Sequence, residues 1–205
     1  MDYLAKANEW KSCKLLSKEE VEQLNNMSEQ EIAEAFYTNL TFGTGGMRGI
    51  MGMGPNRMNV VTISKATLGF ARYLLNNEEN AKERGVVIAT DNRINNTKFM
   101  MAAANILTTL GIKVYIFDAL RPTPELSFAV RYLNACGGIN ITASHNPKIY
   151  NGYKIYNSEG NQLILKQSNI VMDEISKIEN ELAIEVNPNN DLLVTLGKDV
   201  DEAYY

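Results

Sequence analysis

The sequence predicts a three-layer α/β fold, in which helices cover both faces of a mixed, mostly parallel sheet of about four strands. Short buried strand patterns alternate with amphipathic helix patterns between residues 60 and 156. A strand–helix–strand–helix–strand order implies parallel strands that are joined by right-handed crossovers. The chain of 205 residues is 45% hydrophobic, which is enough for one well-packed core.

A helical prefix is predicted for residues 1–42. The segments 17–20 (SKEE) and 28–31 (SEQE) both fit the S-x-x-E capping box, in which a serine and a glutamate satisfy free N–H groups at a helix start. Trp10 and Phe36 belong to modest apolar faces. We therefore expect two or three short helices that pack on the main domain and carry no chemistry.

Helices and strands alternate through the centre of the chain. Apolar residues at helical spacing predict a helix over 62–76 and a second around 100–110, and Thr123 is a candidate N-cap for a third. Runs of buried, β-branched residues predict parallel strands at 86–90, 113–117 and 138–142.

The segment after the third strand returns in the opposite direction. About ten residues without a helical pattern separate the end of that strand from Gly152, which is too short for a parallel crossover. We expect residues 153–156 to pair antiparallel beside the third strand, at the edge of the sheet. Apolar residues with 4-3-4 spacing then predict one more helix over 171–182.

Charge and composition disfavour several classes of protein. A formal net charge of −4 argues against a general nucleic-acid binder, which is usually basic. The sequence has neither an apolar run long enough to span a membrane nor a signal-peptide pattern. Cys13 and Cys136 belong to no motif and are expected to be reduced thiols. We expect a soluble cytoplasmic protein that binds neither nucleic acid nor membrane.

Residues 137–147 (GGINITASHNP) are the stretch around which the function is organised. Ser144 comes just after a predicted buried strand, on a loop of small residues that ends in a turn-forming Asn-Pro pair. His145 is the only histidine of the chain, and Lys154 follows in the same local unit. A hydroxyl, an imidazole and an ammonium at a strand end suggest covalent chemistry or anion binding. The alternative is a plain turn in which Ser144 and Asn146 hydrogen-bond to their own backbone.

A second candidate segment is the glycine-rich stretch 41–55. It lacks the Gly-Lys-Ser/Thr of a Walker A loop and is a poor G-x-G-x-x-G fingerprint. One interpretation is a flexible connector. The other is a phosphate cradle, in which N–H groups around Thr44 and Gly45 act together with Arg48.

Three loops are expected to meet at the carboxyl edge of the sheet, where open α/β folds bind ligands. Arg93 follows the first strand, Asp118 and Arg121 follow the second, and Ser144 follows the third. Arg48, Arg93, His145 and Lys154 around a serine would suit a phosphorylated molecule. Taken singly, Arg121 is expected to form a surface ion pair. The acidic run 199–202 is expected to be a solvated helix start and not a metal site.

The motifs resemble the α-D-phosphohexomutase superfamily. TASHNP (142–147) resembles its phosphoserine signature, FGTGGMRG (42–49) its first active-site loop, and NGYK (151–154) its lysine arm. The helical prefix and residues 52–59 are most similar to the phosphoglucomutase/phosphomannomutase branch that contains phosphopentomutases. The resemblance covers the whole chain and implies the first domain of such an enzyme. It implies a prefix at 1–42, the phosphoserine domain at 43–185, and a connection to a second domain at 186–205.

The resemblance implies a mechanism and its cofactors. Ser144 would carry a phosphoryl group and exchange it with a sugar 1- or 6-phosphate through a sugar 1,6-bisphosphate, with glucose as the favoured sugar. Arg48, His145 and Lys154 would assist by proton movement and charge stabilisation, and Thr44, Gly45, Arg93 and Asn146 would bind phosphate. Mg²⁺ would bind one oxygen of the phosphoserine at Ser144 and three aspartates.

The chain departs from the family pattern in one large respect. The metal loop Asp-Gly-Asp-x-Asp-Arg is absent from the sequence, as are the sugar-specificity loop and the C-terminal phosphate-binding domain. We therefore expect a fragment whose partners are a sugar phosphate and the remaining domains of the polypeptide, and which does not isomerise sugar phosphates alone. The alternatives are a serine hydrolase with Ser144 as nucleophile and a non-catalytic sugar-phosphate binding module.

Overall fold

The fold is built on a mixed sheet, seen in a computed structural model that describes residues 2–205. Met1, the first residue of the predicted prefix, lies outside the described residues. In chain order the strands are β1 (Phe42–Gly43), β2 (Gly46–Ile50), β3 (Val86–Thr90), β4 (Val114–Phe117), β5 (Gly137–Ile141), β6 (Tyr150–Asn157) and β7 (Leu193–Leu196). Their spatial order is β1-β2-β6-β5-β3-β4-β7.

Helices cover both faces of this sheet. They are α1 (Tyr3–Trp10), α2 (Lys18–Asn25), α3 (Glu29–Phe36), α4 (Val60–Asn77), α5 (Ala81–Arg84), α6 (Asn96–Thr109), α7 (Thr123–Tyr132), α8 (Leu165–Ser176) and α9 (Lys198–Tyr204). None of the helices within residues 2–205 is long and apolar enough to cross a membrane.

The predicted prefix forms α1, α2 and α3. Both capping boxes are present: Ser17 accepts from the N–H of Glu20 and Ser28 from that of Glu31, while each glutamate reaches back to the N-cap N–H. The prediction of short helices that pack on the main domain is confirmed, since Trp10 and Phe36 are buried in the main core with their rings 5.4 Å apart.

The alternating centre of the chain is also confirmed. Strands β3, β4 and β5 pair in parallel, and the helix predicted over 62–76 is α4. The side chain of Asn59 explains where α4 begins. It accepts from the N–H groups of Val61 and Thr62 and donates to the carbonyls of Gly52 and Gly54. One buried amide therefore caps the helix and anchors the glycine-rich segment that precedes it.

Two features of the predicted sheet are wrong. Within residues 2–205 the sheet has seven strands where about four are predicted, because the glycine-rich segment forms the hairpin β1–β2 and residues 193–196 add β7 in parallel beside β4. The antiparallel return of β6 beside β5 is confirmed, but β6 does not lie at the edge, since β2 pairs with its other side. Gly46 and Gly152 allow this pairing, because a Cβ at either position would overlap a carbonyl of the neighbouring strand.

The last two elements differ from the predictions in smaller ways. The helix predicted over 171–182 begins earlier and ends at Ser176, and a 3₁₀ turn follows at Glu181–Ala183. The segment 186–205 contains β7 and α9. Asp201 in α9 forms an ion pair of 2.7 Å with Arg121, so Arg121 does form an ion pair, though its side chain is mostly buried.

The core is divided by the sheet into two layers. The layer under α4, α6 and α8 contains Phe70, Leu107 and Ile139, and the layer under α7 and α9 contains Val87 and Val130. Every residue of β5 is buried, as expected for a central strand that is covered on both faces. The carboxyl end of β5 is therefore held rigidly from both sides.

We predict that Gly69→Ala destabilises the protein although alanine favours helices. A Cβ at Gly69 in α4 would lie 3.0 Å from the main-chain nitrogen of Ile175 in α8 and closer to its side chain. Overpacking of this kind costs about 1–3 kcal/mol, which exceeds the gain of about 1 kcal/mol in helix propensity. Urea unfolding measures the loss. Asn76→Ala, on an exposed position of the same helix, is the control and should change stability by less than about 0.5 kcal/mol. An increase in stability for Gly69→Ala would contradict the close contact of α4 and α8.

Candidate active site

Ser144 is exposed on the loop that follows β5, while Thr142 and Ala143 before it are buried. We call residues 142–150, which join β5 to β6, the serine loop. Ser144 has φ +55°, in the left-handed region that L-residues other than glycine, asparagine and aspartate seldom adopt. A conformation of this kind persists only when surrounding contacts impose it.

The main-chain N–H side of Ser144 is fixed by Thr142 and Asp91. The N–H of Ser144 donates to Oγ1 of Thr142 at 2.9 Å, and that hydroxyl donates in turn to the carboxylate of Asp91. Asp91 directly follows β3, the parallel neighbour of β5. Two adjacent strand ends are therefore joined through the threonine hydroxyl.

The carbonyl side of the serine loop is fixed by Arg93. Its Nη2 donates to the carbonyls of Ser144 and Asn146, both at 2.7 Å, and its Nη1 donates to those of Pro147 and Tyr150 at 3.0 and 3.1 Å. Its Nε faces the Asp91 carboxylate at 3.6 Å. The sequence predicts Arg93 as a phosphate ligand, but a phosphate could contact this guanidinium only by displacing one of these oxygens.

Two buried asparagines complete the support. Asn151 donates to Oδ1 of Asn96 at 2.7 Å and to the carbonyl of Ile94 at 3.1 Å. Asn96 donates to Asp91 and to the carbonyl of Ile141. Sequence reasoning missed the supporting roles of Thr142 and Asn96. Their positions could have indicated these roles, because Thr142 directly follows β5 and Asn96 is the first residue of α6.

Arg48 and Lys154 place two cations beside the serine loop. Nη1 of Arg48 donates to Oδ1 of Asn146 at 2.6 Å, which ties β2 to the loop. Arg48 lies opposite Gly152 and Gly46 opposite Lys154, so the two cations share one face of the sheet as diagonal neighbours. The structure thus places Arg48 beside Asn146, two residues after Ser144.

The positive charges of Arg48 and Lys154 are not neutralised by carboxylates in the part of the chain that the structure describes. Within residues 2–205, neither Arg48 nor Lys154 forms an ion pair with a carboxylate. Burial, and then the charge of Arg48, lower the pKa of Lys154, while the Asp91 carboxylate has a smaller effect in the opposite direction. An anion bound here would relieve the repulsion between the two cations.

The amino end of α7 borders the same face. Asn140 lies opposite Lys154 in the β5–β6 pair and donates to Oγ1 of Thr123 at 2.8 Å. Thr123 is the first residue of α7 and Pro122 is its N-cap, one residue before the predicted position. The positive end of the helix dipole therefore adds to the potential of Arg48 and Lys154.

His145 lies close to Ser144 but is not part of a triad. Its Nδ1 is 3.4 Å from Oγ of Ser144, at the limit of a hydrogen bond. Among the described residues, no carboxylate forms an ion pair or hydrogen bond with this imidazole. The third group that orients the base of a serine hydrolase is thus missing from this part of the chain.

Thr44 and Gly45 are not brought to the serine loop. The carbonyl of Gly45 accepts from the N–H of Ile155, and Ile155 lies opposite Ile139, well before the carboxyl end of β5. The N–H of Gly45 donates to Oγ of Ser168 at 3.2 Å. The glycine-rich segment forms an extended hairpin, which carries Arg48 to the serine loop and leaves Thr44 and Gly45 at the opposite end of β2.

An open cleft of about 430 Å³ adjoins Ser144. It is lined by Asp91, Asn92, Arg93, Ile94, Ser144, Asn146 and Lys148. Asn92 and Lys148 are residues that sequence reasoning did not single out. The cleft is within the size range of small-molecule sites in proteins.

The part of the chain that the structure describes does not by itself supply a set of ligands for Mg²⁺. Residues 2–205 contain no group of three or more histidine, cysteine, aspartate or glutamate side chains that could hold a metal ion. The carboxylate near Ser144, that of Asp91, is engaged with Thr142, Asn96 and Arg93. Beyond Ser144 and a phosphoryl group on it, the ligands that Mg²⁺ requires do not lie beside the serine loop.

Comparison with known proteins gives consistent matches. The family model described as phosphoglucomutase/phosphomannomutase, alpha/beta/alpha domain I, matches residues 39–182. Phosphoglucomutases of Staphylococcus haemolyticus (strain JCSC1435) and Staphylococcus epidermidis (strain ATCC 12228 / FDA PCI 1200) are 44% and 43% identical over 172 and 185 residues. These alignments cover 84% and 88% of this chain but 31% and 33% of the relatives. The chain thus spans about a third of the length of these relatives.

Solved structures show the same architecture. A protein of Thermus thermophilus assigned as a phosphomannomutase superposes with a TM-score of 0.68 at 30% identity, covering 82% of this chain and 35% of that one. A phosphoglucomutase/phosphomannomutase family protein of Burkholderia thailandensis has a TM-score of 0.58 at 21% identity and covers 78% of this chain and 33% of that one, and it supports the fold alone.

We predict that Ser144→Gly is more stable than Ser144→Ala by about 1 kcal/mol, because a left-handed φ costs an L-residue roughly 1–2 kcal/mol that glycine does not pay. Both variants lack the hydroxyl, so the difference between their stabilities reports on the backbone conformation at residue 144. Ser158, whose φ is outside the left-handed region, is the control, and there alanine should be the more stable choice. Thermal unfolding of the four variants is the measurement. Equal stability of the two Ser144 variants would show that the loop is not strained.

We predict that Lys154→Met stabilises the protein at neutral pH. The pKa of Lys154 is lowered from its ordinary value of 10.5 by burial and by Arg48. The unfolded chain therefore binds the proton more tightly, and stability rises as pH increases through the folded-state pKa. The advantage of Lys154→Met should shrink as pH approaches 10.5. Chemical unfolding at several pH values tests this, with exposed Lys148→Met as the control. A gain that is constant with pH would contradict the assignment.

Proposed function

The chain belongs to the phosphoglucomutase/phosphomannomutase family, as its α/β/α domain I, and on that premise we propose that it is the phosphoserine-bearing domain of a phosphosugar mutase. The observation that carries this proposal is the setting of Ser144. Its hydroxyl is exposed on a loop whose Asn146 is bound by Arg48 at 2.6 Å, with Lys154 on the same face of the sheet. An exposed hydroxyl beside two uncompensated cations suits a group that carries a dianion.

The proposed reaction interconverts a sugar 1-phosphate and a sugar 6-phosphate in two transfers. In the first, the bond between phosphorus and Oγ of Ser144 breaks and a bond to a free sugar hydroxyl forms. The hydroxyl loses its proton and Oγ gains one, so the product is a sugar 1,6-bisphosphate. The bisphosphate then reorients in the site, and its other phosphoryl group returns to Ser144 by the reverse step. Glucose is the proposed sugar, since the similar relatives are named phosphoglucomutase.

Each side chain has a proposed role. Arg48 stays charged and stabilises the negative charge that is spread over the transferring phosphoryl oxygens. Lys154, with its lowered pKa, can release and take up a proton more readily than an exposed lysine. His145, with Nδ1 3.4 Å from Oγ, can return the proton that Ser144 needs when the phosphoryl group leaves. Asn146 holds Arg48 in place.

Other groups of the reaction lie outside these residues. Mg²⁺, when bound to a phosphoryl oxygen on Ser144, would supply further positive charge. Its remaining ligands and the sugar-binding surfaces are proposed to belong to the rest of a longer polypeptide, since the chain spans about a third of its relatives. We therefore propose that the 205-residue chain accepts phosphate slowly and does not isomerise sugar phosphates alone.

Phosphoryl acceptance by Ser144 is the test of this function. The chain is incubated with glucose 1,6-bisphosphate and Mg²⁺, digested and analysed by mass spectrometry. We expect one phosphoryl group on Ser144, none in Ser144→Ala, and a rate about a hundredfold lower in Arg48→Met, because a preorganised charge at the transferring group is lost. A coupled assay should detect no mutase turnover by the chain alone. A chimera in which the chain replaces the matching third of the Staphylococcus epidermidis enzyme should show turnover that requires Ser144.

Two results would contradict the proposal. Labelling of Ser144 by a fluorophosphonate, without phosphoryl acceptance by either the chain or the chimera, would indicate a serine hydrolase. Binding of the bisphosphate without transfer, while the Staphylococcus enzyme becomes phosphorylated under the same conditions, would indicate a non-catalytic binding module.

A further inference from the structure

We propose that Arg93 is a positioning residue for phosphoryl transfer, which holds the serine loop in shape through four carbonyl oxygens and does not itself bind phosphate. The inference rests on the proposed function of Ser144. The position of Arg93 after β3 predicts that it binds phosphate, and the role proposed here is a different one.

The donor geometry of Arg93 is saturated. A guanidinium has five N–H groups in a planar fork. Four of them point at the carbonyls of Ser144, Asn146, Pro147 and Tyr150, and the fifth faces Asp91. These carbonyls span the serine loop from the reactive residue to the start of β6. A lysine at this position has three donors from one nitrogen and could not reach the same set.

We call Arg93 and its four carbonyl contacts the clasp. The clasp holds Ser144 by its carbonyl, whereas Thr142 holds it by its N–H group. The N–H of Ser144 is fixed through Thr142 to Asp91, and its carbonyl is fixed by Arg93 at 2.7 Å. Asp91 contacts both partners, since it accepts from Thr142 and faces Nε of Arg93. The two peptide groups that flank the left-handed Ser144 are thereby fixed to one carboxylate–guanidinium pair, which provides the constraint that its φ of +55° requires.

Burial distinguishes Arg93 from Arg48, the exposed cation that is proposed to contact phosphate. The side chain of Arg93 is 11% exposed and lies against the loop backbone. Arg48 is an exposed residue on β2. Loss of Arg93 should therefore act through the position of Oγ, and displacement of a reacting atom by about 1 Å can cost about a hundredfold in rate.

Arg84 provides a matched control at the other end of β5. Its Nε donates to the carbonyl of Asn134 at 3.0 Å, its Nη2 to that of Ala135 at 3.3 Å, and its Nη1 pairs with Glu78 at 3.1 Å. It is thus a second arginine that binds loop carbonyls and one carboxylate, but it is remote from Ser144. Arg84→Lys should reduce stability without changing phosphoryl acceptance.

The experiment compares Arg93→Lys with Arg84→Lys in the 205-residue chain. Three quantities are measured: the thermal midpoint, the amide hydrogen exchange of residues 142–150, and the rate at which Ser144 accepts phosphate from glucose 1,6-bisphosphate. We expect both variants to fold with reduced stability. Only Arg93→Lys should show faster exchange in the serine loop and about a hundredfold slower acceptance, with the half-saturating bisphosphate concentration unchanged. Guanidinium ion at low concentration should restore part of the rate of Arg93→Ala.

Other results would overturn the inference. Wild-type acceptance and exchange in Arg93→Lys would show that the four carbonyl contacts of Arg93 are not needed to hold the serine loop. A raised half-saturating bisphosphate concentration with unchanged exchange would make Arg93 a phosphate ligand. If neither the wild-type chain nor its chimera with the Staphylococcus epidermidis enzyme accepts phosphate, the proposed function fails. In that case unchanged loop exchange in Arg93→Lys would separately overturn the clasp.

Discussion

The antiparallel pairing of β6 between β5 and β2 is the constraint on which the candidate site depends. Strand β5 delivers Ser144 to the edge of the sheet, and β6 turns back beside it and carries Lys154 into the same row. Strand β2 pairs with the far side of β6 and brings Arg48 level with Gly152. Since a shift of one residue in either pairing would turn a cation to the opposite face, the register of three strands fixes the charge around the hydroxyl.

Stability and reactivity are separated within this arrangement. The groups beneath the serine loop, namely Asp91, Arg93, Asn96, Thr142 and Asn151, are bound to one another and to main-chain oxygens. Among residues 2–205, none of their buried polar atoms lacks a partner. The groups on the outer side, Arg48 and Lys154, have no carboxylate partner in that range, and the pKa of Lys154 is lowered. A satisfied network thus supports a strained serine beside two cations that an anion can stabilise.

The sequence predicts the parallel α/β core well, because hydrophobic periodicity and capping signals are local and strong in α3, α4 and β3. It fails for β2, because this strand contains two glycines and only one β-branched residue, which is a weak signal for a strand. Ser144, Arg48 and Lys154 could be identified from composition and order. The carbonyl partners of Arg93 could not be predicted, because every residue has a main-chain carbonyl and its contacts depend on how the loop folds.

A crystal structure of the chain phosphorylated on Ser144 would show directly whether the two cations beside the serine loop bind the phosphoryl group. We expect the phosphoryl oxygens to lie within hydrogen-bond distance of Arg48 and Lys154, and Arg93 to keep its four carbonyl partners. A phosphoryl group turned into solvent, or one bound by an Arg93 that has released the loop, would contradict this expectation.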